Sequence, residues 1–181
     1  MAREWDTPSE KENTKKKHPE KKRKPEIKIR TMEIEDIAPI FHLGEKLFTH
    51  DDAPNLYRTW DEYEVVEFFN SDSELCLVAD DGTRIVGFVL ATIIDKRRSA
   101  WKYGYLVWIA VDEAYRHRNI GTRLFKEFLS IMEEHRVRML LVDIEAENDE
   151  ARGFFARMGF NSPQDHIYLS LNLSTRDKKE N

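Results

Sequence analysis

The sequence predicts a mixed α/β domain, a central mixed sheet with helices on both faces. Three observations carry that reading. Residues 84–94 are almost unbroken apolar, as a strand covered on both faces should be. After residue 121, Leu124, Phe125, Phe128, Leu129 and Met132 recur at helical spacing. Strand-like and helix-like segments also follow one another from residue 27 to about residue 171 with no internal repeat.

Taken in order, residues 1–26 form a charged tail that is expected to be disordered. The tail holds nine Lys/Arg against six Asp/Glu, a net of about +3. With −5 on the whole chain, the remainder carries about −8 (−5 minus +3), which suits solubility and would also steer cationic substrates. Ile27–Arg30 alternates and reads as a first strand. Asp36–Phe48 has helical spacing, with Asp36 placed to cap and Pro39 in the first turn. A loop, HDDAPNLYR, leads to Thr59-Trp60-Asp61-Glu62, whose capping-box pattern opens a second helix running to about Asn70. Glu74–Ala79 and Arg84–Ile94 are strands joined at DDGT, where Asp-Gly marks a hairpin.

A polar connection and Trp101 then lead into the strand Leu106–Val111. Past the amphipathic helix comes a strand at Arg138–Glu145, and then a short helix capped by Gly159. Phe160 and His166–Leu171 supply the closing strands, within a domain drawn as 27–175 and followed by a polar end at 176–181.

Composition narrows the function classes. At 40% hydrophobic residues the chain can build a core despite 35% charged residues. No apolar run is long enough to cross a bilayer, and MAREWDTPSE lacks the apolar stretch of a signal peptide. A cytoplasmic protein with no membrane partner is expected. Cys76 is the single cysteine, so no intrachain disulfide forms. The histidines His18, His42, His50, His117, His135 and His166 are scattered without the spacing of a zinc site, so no metal is expected. TKKKHPEKKRKP in the tail is a basic run, but no aromatic-and-basic stripe continues it. No nucleic-acid partner is expected beyond contact by that tail, and a homodimer is left open.

Residues 105–128, YLVWIAVDEAYRHRNIGTRLFKEF, join a buried strand to a helix through a polar turn. Such a join aims backbone N–H groups and the positive end of a helix dipole at one spot, which makes an anion site. Arg116, His117 and Arg118 add positive charge there, and Gly121 lets the backbone approach closely. YRHRNIGTRL resembles the acyl-CoA-binding motif of the GNAT acetyltransferases, Gln/Arg-x-x-Gly-x-Gly/Ala. Arg116 fills its first slot and Gly121 its last, while Asn119 stands where a glycine is usual. Asn is the non-glycine residue that best tolerates a left-handed backbone, so the loop can keep its shape.

The resemblance covers about residues 27–172; it implies a largely antiparallel sheet with a splayed central strand pair, and an N-acetyltransferase moving acetyl from acetyl-CoA to a primary amine. A protein N-terminus, a lysine and a small amine all fit as acceptor. An acyl-CoA-binding module with little turnover is the alternative. By resemblance, the main chain of Ile109, Ala110 and Val111 holds pantetheine. His117, Arg118, Asn119, Ile120, Gly121 and Thr122 would hold the pyrophosphate.

Acetyl transfer needs a base for the amine, donors for the developing oxyanion, and departure of the sulfur. On Arg138–Glu145, strand parity puts Leu141, Asp143 and Glu145 on one face. DIEAEN resembles the matching segment of the ribosomal-protein alanine N-acetyltransferases, in which a Glu precedes the family Asn by five positions. Asp143 sits there, Glu145 is the second candidate base, and Asn148 matches the Asn that contacts cofactor and orders the next helix. Family members usually carry a Tyr, the acid near the sulfur, where this chain has Phe155. Water, Tyr105 or Tyr168 would have to substitute. In the loop, His50, Asp51, Asp52 and Tyr57 are substrate-wall candidates by resemblance only.

Overall fold

The structure is a computed structural model, and it describes residues 26–48, 60–95 and 101–164. Five strands form one sheet in the order β1-β2-β3-β4-β5: β1 Lys28–Thr31, β2 Leu77–Asp80, β3 Ile85–Asp95, β4 Lys102–Val111 and β5 Met139–Val142. Neighbours are antiparallel except β4 and β5, which run parallel. Helices α1 Ile37–Phe48 and α2 Glu62–Asp72 cover one face, where Ile40, Leu43, Trp60 and Val65 pack on Val78, Phe88, Leu90 and Trp108. Helix α3, Ile120–Glu134, covers the other face together with α4, Asp149–Arg157. There Leu124, Phe125, Phe128 and Met132 pack on Leu77, Val86, Val89 and Leu106. The two-sided burial of residues 85–91 is what their unbroken apolar run predicts.

Several boundaries differ from the sequence reading, each for a local reason. Asp36 does not cap α1. It belongs to a 3-10 turn, Ile34–Asp36, where its carboxylate takes the Arg30 guanidinium at 2.5 and 2.9 Å. Asp61, not Thr59, caps α2, accepting from the Glu64 amide at 2.9 Å. Ser73–Leu75 turns as a 3-10 segment before β2 begins. The predicted strand at Arg138–Glu145 keeps only Met139–Val142, the four residues that pair with β4. The tail, the loop bearing His50, Asp51, Asp52 and Tyr57, and the strand expected at 166–171 lie outside the described residues.

One irregularity shapes the site. Leu90 pairs with Trp108 and Ala91 with Leu106, so Val107 has no opposite number on β3. An extra residue of this kind reverses the inward-outward alternation. Before it, Leu106 packs toward α3, as would a side chain at Gly104, whose added Cβ would meet Met132 and Leu140. After it, Ile109 and Val111 face α3 while Trp108 and Ala110 face α1 and α2. The bulge gives β4 apolar packing on both sides of a bend.

Candidate active site

Strand β5 accompanies β4 only from Tyr103–Met139 to Leu106–Val142. Beyond that point β4 continues to Val111 with no β5 partner among the described residues, so the parallel pair parts. The direction of the β4 amides follows from one bond: the Asp112 N–H donates to the Val86 carbonyl at 2.9 Å. Because antiparallel pairs alternate, the amides of Ala110 and Trp108 also point to β3, and those of Ile109 and Val111 point into the opening. Of the three main-chain positions expected to meet pantetheine, Ala110 is thereby committed to the β3 ladder. The side chains of Ile109 and Val111 are core on the α3 face.

Where β4 ends, Asp112 caps a 3-10 turn, Glu113–Tyr115, by accepting from the Ala114 amide at 2.9 Å. Residues 116–119 then cross exposed to the start of α3. Asn119 has φ 58° and ψ 18°, the left-handed conformation its residue type foreshadows. His117 is left-handed as well, at φ 61°, which nothing in its identity announces. Left-handed residues alternating with others turn successive N–H groups toward a common concavity. Asn119 makes no side-chain cap hydrogen bond, so the first-turn amides of Ile120, Gly121 and Thr122 are left uncapped by that side chain at the positive end of the α3 dipole. Donors of this number and direction fit a pyrophosphate, and the opening beside β4 fits an extended amide-bearing arm.

The arginines of the turn differ. Arg116 pairs with Glu113 at 3.9 Å and with Glu150 of α4 at 3.5 Å. Arg118 lies over the Tyr115 ring, 4.7 Å from its centroid. Gly121 sits in the first helical turn, beside Phe154 of α4. A Cβ there would lie 3.5 Å from that ring, an ordinary contact.

The two candidate bases separate in space. Both stand beyond the end of β5, so strand parity does not reach them. Asp143 is half-buried and accepts from the Tyr105 hydroxyl at 2.5 Å. Tyr105 lies on β4 opposite Leu141, which puts this pair where β4 and β5 begin to diverge. Glu145 is exposed, and its carbonyl accepts from the Asn148 amide at 3.0 Å. Asn148 caps α4, its Oδ1 accepting from the Ala151 amide at 2.9 Å. Phe155 is buried among Phe154, Phe160 and Phe125, with ring centroids 5.1, 5.3 and 6.5 Å away, and it fills the core where a hydroxyl-bearing ring would be usual.

Cys76 is buried, and burial pushes its thiol up to about 12, which makes it a poor thiolate nucleophile. Sequence reasoning missed the contact between Trp108 Nε1 and Glu64 Oε1 of α2, at 2.9 Å, because no spacing rule links a helix carboxylate to an indole on the sheet it covers. Tyr168 and the loop candidates His50, Asp51, Asp52 and Tyr57 lie outside the described residues. Among the described residues, no three His, Cys, Asp or Glu side chains gather as a metal site, and no helix is long and apolar enough to cross a membrane.

A mixed sheet that opens beside an anion-binding turn is the architecture of an acyl-CoA-dependent transferase. The sequence pattern described as the Acetyltransferase (GNAT) family matches residues 45–160, and the chain belongs to that family. It is an acetyl-CoA-dependent acetyltransferase whose acceptor is an amine. Among its relatives, N-alpha-acetyltransferase 30 of Schizosaccharomyces pombe is 27% identical over 124 residues, 68% of this chain and 82% of that protein. The Xenopus laevis protein of the same name is 28% identical over 64% of this chain, yet the match spans only 40% of its length.

Among solved structures, one of the NatC complex bound to Gag peptide and CoA superposes with a TM-score of 0.66 at 22% identity, covering 77% of this chain and 87% of that one. An aminoglycoside acetyltransferase from an uncultured soil metagenomic sample, in complex with trehalose, gives 0.65 at 19%, covering 81% and 97%. Likeness at that identity is one of fold.

Proposed function

We propose that the chain acetylates the α-amino group of protein N-termini, with Asp143 as the proton acceptor. The relatives named N-alpha-acetyltransferase 30 support a main-chain amine as acceptor. The observation that carries the chemistry is the Tyr105–Asp143 pair at the point where β4 and β5 part. An α-amino group has a pKa of about 7.7–8.0 against about 10.4 for lysine, so a single carboxylate, directly or through one water, can relieve it of its proton near neutrality.

Acetyl-CoA, when bound, supplies an acetyl group activated as a thioester. Ile109 and Val111 amides along β4 would hold its arm, and the turn 117–122 its phosphates. The same β4 amides are fixed donors for charge that develops on an acyl oxygen. Tyr105 orients the Asp143 carboxylate, and its hydroxyl stands where the opening begins, while Phe155 offers none. A thiol of pKa about 8.5 leaves tolerably as its anion, so loss of the usual acid slows transfer without stopping it. Within this reading residues 27–175 are the acetyltransferase domain, and its compartment is the cytoplasm.

The test is thiol release from acetyl-CoA with three acceptors: a peptide with a free N-terminus, the same peptide N-blocked but carrying lysine, and an aminoglycoside. Release with the first alone is expected. Release with the lysine peptide or the aminoglycoside alone would overturn the acceptor assignment, and CoA binding without release on any amine would favour the binding-module reading.

A further inference from the structure

Tyr115 joins two parts of the molecule that the reaction does not otherwise connect. Its hydroxyl donates to Oδ2 of Asp81, at the β2–β3 hairpin. The other oxygen of Asp81 is already taken within the hairpin, by the Thr83 hydroxyl at 2.6 Å and the Thr83 and Arg84 amides at 2.9 and 3.0 Å. Asp81 is buried, and the Thr83 hydroxyl, then that of Tyr115, hold its carboxyl well below the usual carboxylate range. It is a fixed anion with one oxygen given to Tyr115.

The Tyr115 ring in turn carries two guanidinium groups. Arg84 stands 5.1 Å from the ring centroid and is tied to the buried Asp112 at 3.4 Å; Arg118 stands 4.7 Å away. The two cations of the turn are therefore unequal. Arg116 is already paired with Glu113 and Glu150. Among the described residues no carboxylate lies within ion-pair distance of Arg118, so its charge is the one left for a ligand.

We propose that Tyr115 is a positioning residue for the phosphate-binding turn, anchored by Asp81, and that it sets the place of Arg118 as the cation for the cofactor's phosphates. A cation held over an aromatic face has most of its side-chain freedom removed before the anion arrives. Without the ring, Arg118 would have to be ordered at the moment of binding. The inference rests on the proposed function, since it assigns roles within the same cofactor site.

The experiment is calorimetric titration of CoA into the wild-type chain, Tyr115→Leu, Tyr115→Phe, Arg118→Ala, Arg116→Ala and the double variant Tyr115→Leu/Arg118→Ala, with steady-state kinetics on each. Loss of a charge-assisted phosphate contact should raise the CoA dissociation constant about tenfold in Arg118→Ala. Arg116→Ala should raise it less than Arg118→Ala does. Loss of the ring should raise it about two- to fivefold in Tyr115→Leu. The double variant should be no weaker than Arg118→Ala, because the ring acts through that side chain. KM for acetyl-CoA should follow these values while kcat stays within about twofold, the split expected when only binding is touched.

Tyr115→Phe keeps the ring and its packing while cutting the tie to Asp81. It should fall between wild type and Tyr115→Leu, and it carries the comparison if Tyr115→Leu fails to fold. Fold-losses that multiply in the double variant, or a lower Tm in Tyr115→Leu and Tyr115→Phe with CoA affinity unchanged, would overturn the proposal. A wild-type chain that does not bind CoA would sink the cofactor reading itself.

Discussion

Strand β4 has two edges that behave differently. Toward β3 it is paired from Lys102 to Val111, interrupted only at Val107. Toward β5 it is paired from Tyr103 to Leu106, and beyond that it has no partner among the described residues. One strand is therefore scaffold on one side and, in the proposed reading, binding surface on the other. Trp108 and Ala110 give their amides to the sheet, while Ile109 and Val111 hold theirs toward the opening. A binding surface made of backbone has a structural advantage: its donors are fixed by the ladder beside them and lose little freedom when a ligand arrives. It also explains why side-chain chemistry gathers at the ends of the opening, with Tyr105 and Asp143 where it begins and the turn at 116–119 just past its far end.

The largest expected effect lies at the open edge. Asp143→Asn should lower kcat by about 10²- to 10⁴-fold, the usual worth of a positioned base, while CoA affinity by calorimetry changes less than about threefold. Unchanged turnover would move the proton to Glu145 or to solvent. At the closed edge, a Cβ added to Gly87 would lie 2.8 Å from the Ala110 carbonyl oxygen, a backbone atom that cannot yield without opening the ladder. Gly87→Ala should cost about 1–3 kcal/mol in urea unfolding, and no loss would mean that the two strands part more easily than their pairing implies.

Val111→Pro sharpens the contrast, because it deletes an amide that the β3 ladder does not use. The fold should survive, as proline is tolerated where its N–H side is unpaired, and the CoA dissociation constant should rise about tenfold. Equal affinity would show that this amide meets no ligand. Gly121→Ala should do least. Its methyl meets the Phe154 ring at ordinary contact distance and leaves the amide in place, so the CoA constant should stay within about twofold.

Much of this architecture was legible from residue pattern alone. The apolar run in β3 and the helical stripe of α3 each report burial directly, and burial is what sheet and helix faces require. Asn119 advertised its left-handed turn through its type. His117 adopts the same conformation without such a mark, since the turn around it and not the residue imposes it. The Val107 bulge was not legible, because an extra residue is defined only against its partner strand. The early end of β5 is not legible either, because an alternating pattern through Asp143 and Glu145 satisfies parity, and where pairing stops is set by the neighbouring strand. Contacts between residues far apart in the chain, Tyr105 with Asp143 and Tyr115 with Asp81, are products of tertiary structure that no local rule contains.

Amide hydrogen exchange along β4 tests the central claim most directly. In the protein without ligand, Trp108 and Ala110 should exchange slowly and Ile109 and Val111 much faster, a period-two alternation along one strand. Addition of CoA should slow Ile109, Val111 and the amides of residues 117–122 while leaving Trp108 and Ala110 as they were. Uniform protection of all four β4 amides before CoA is added, or no change at Ile109 and Val111 once it is bound, would contradict the account.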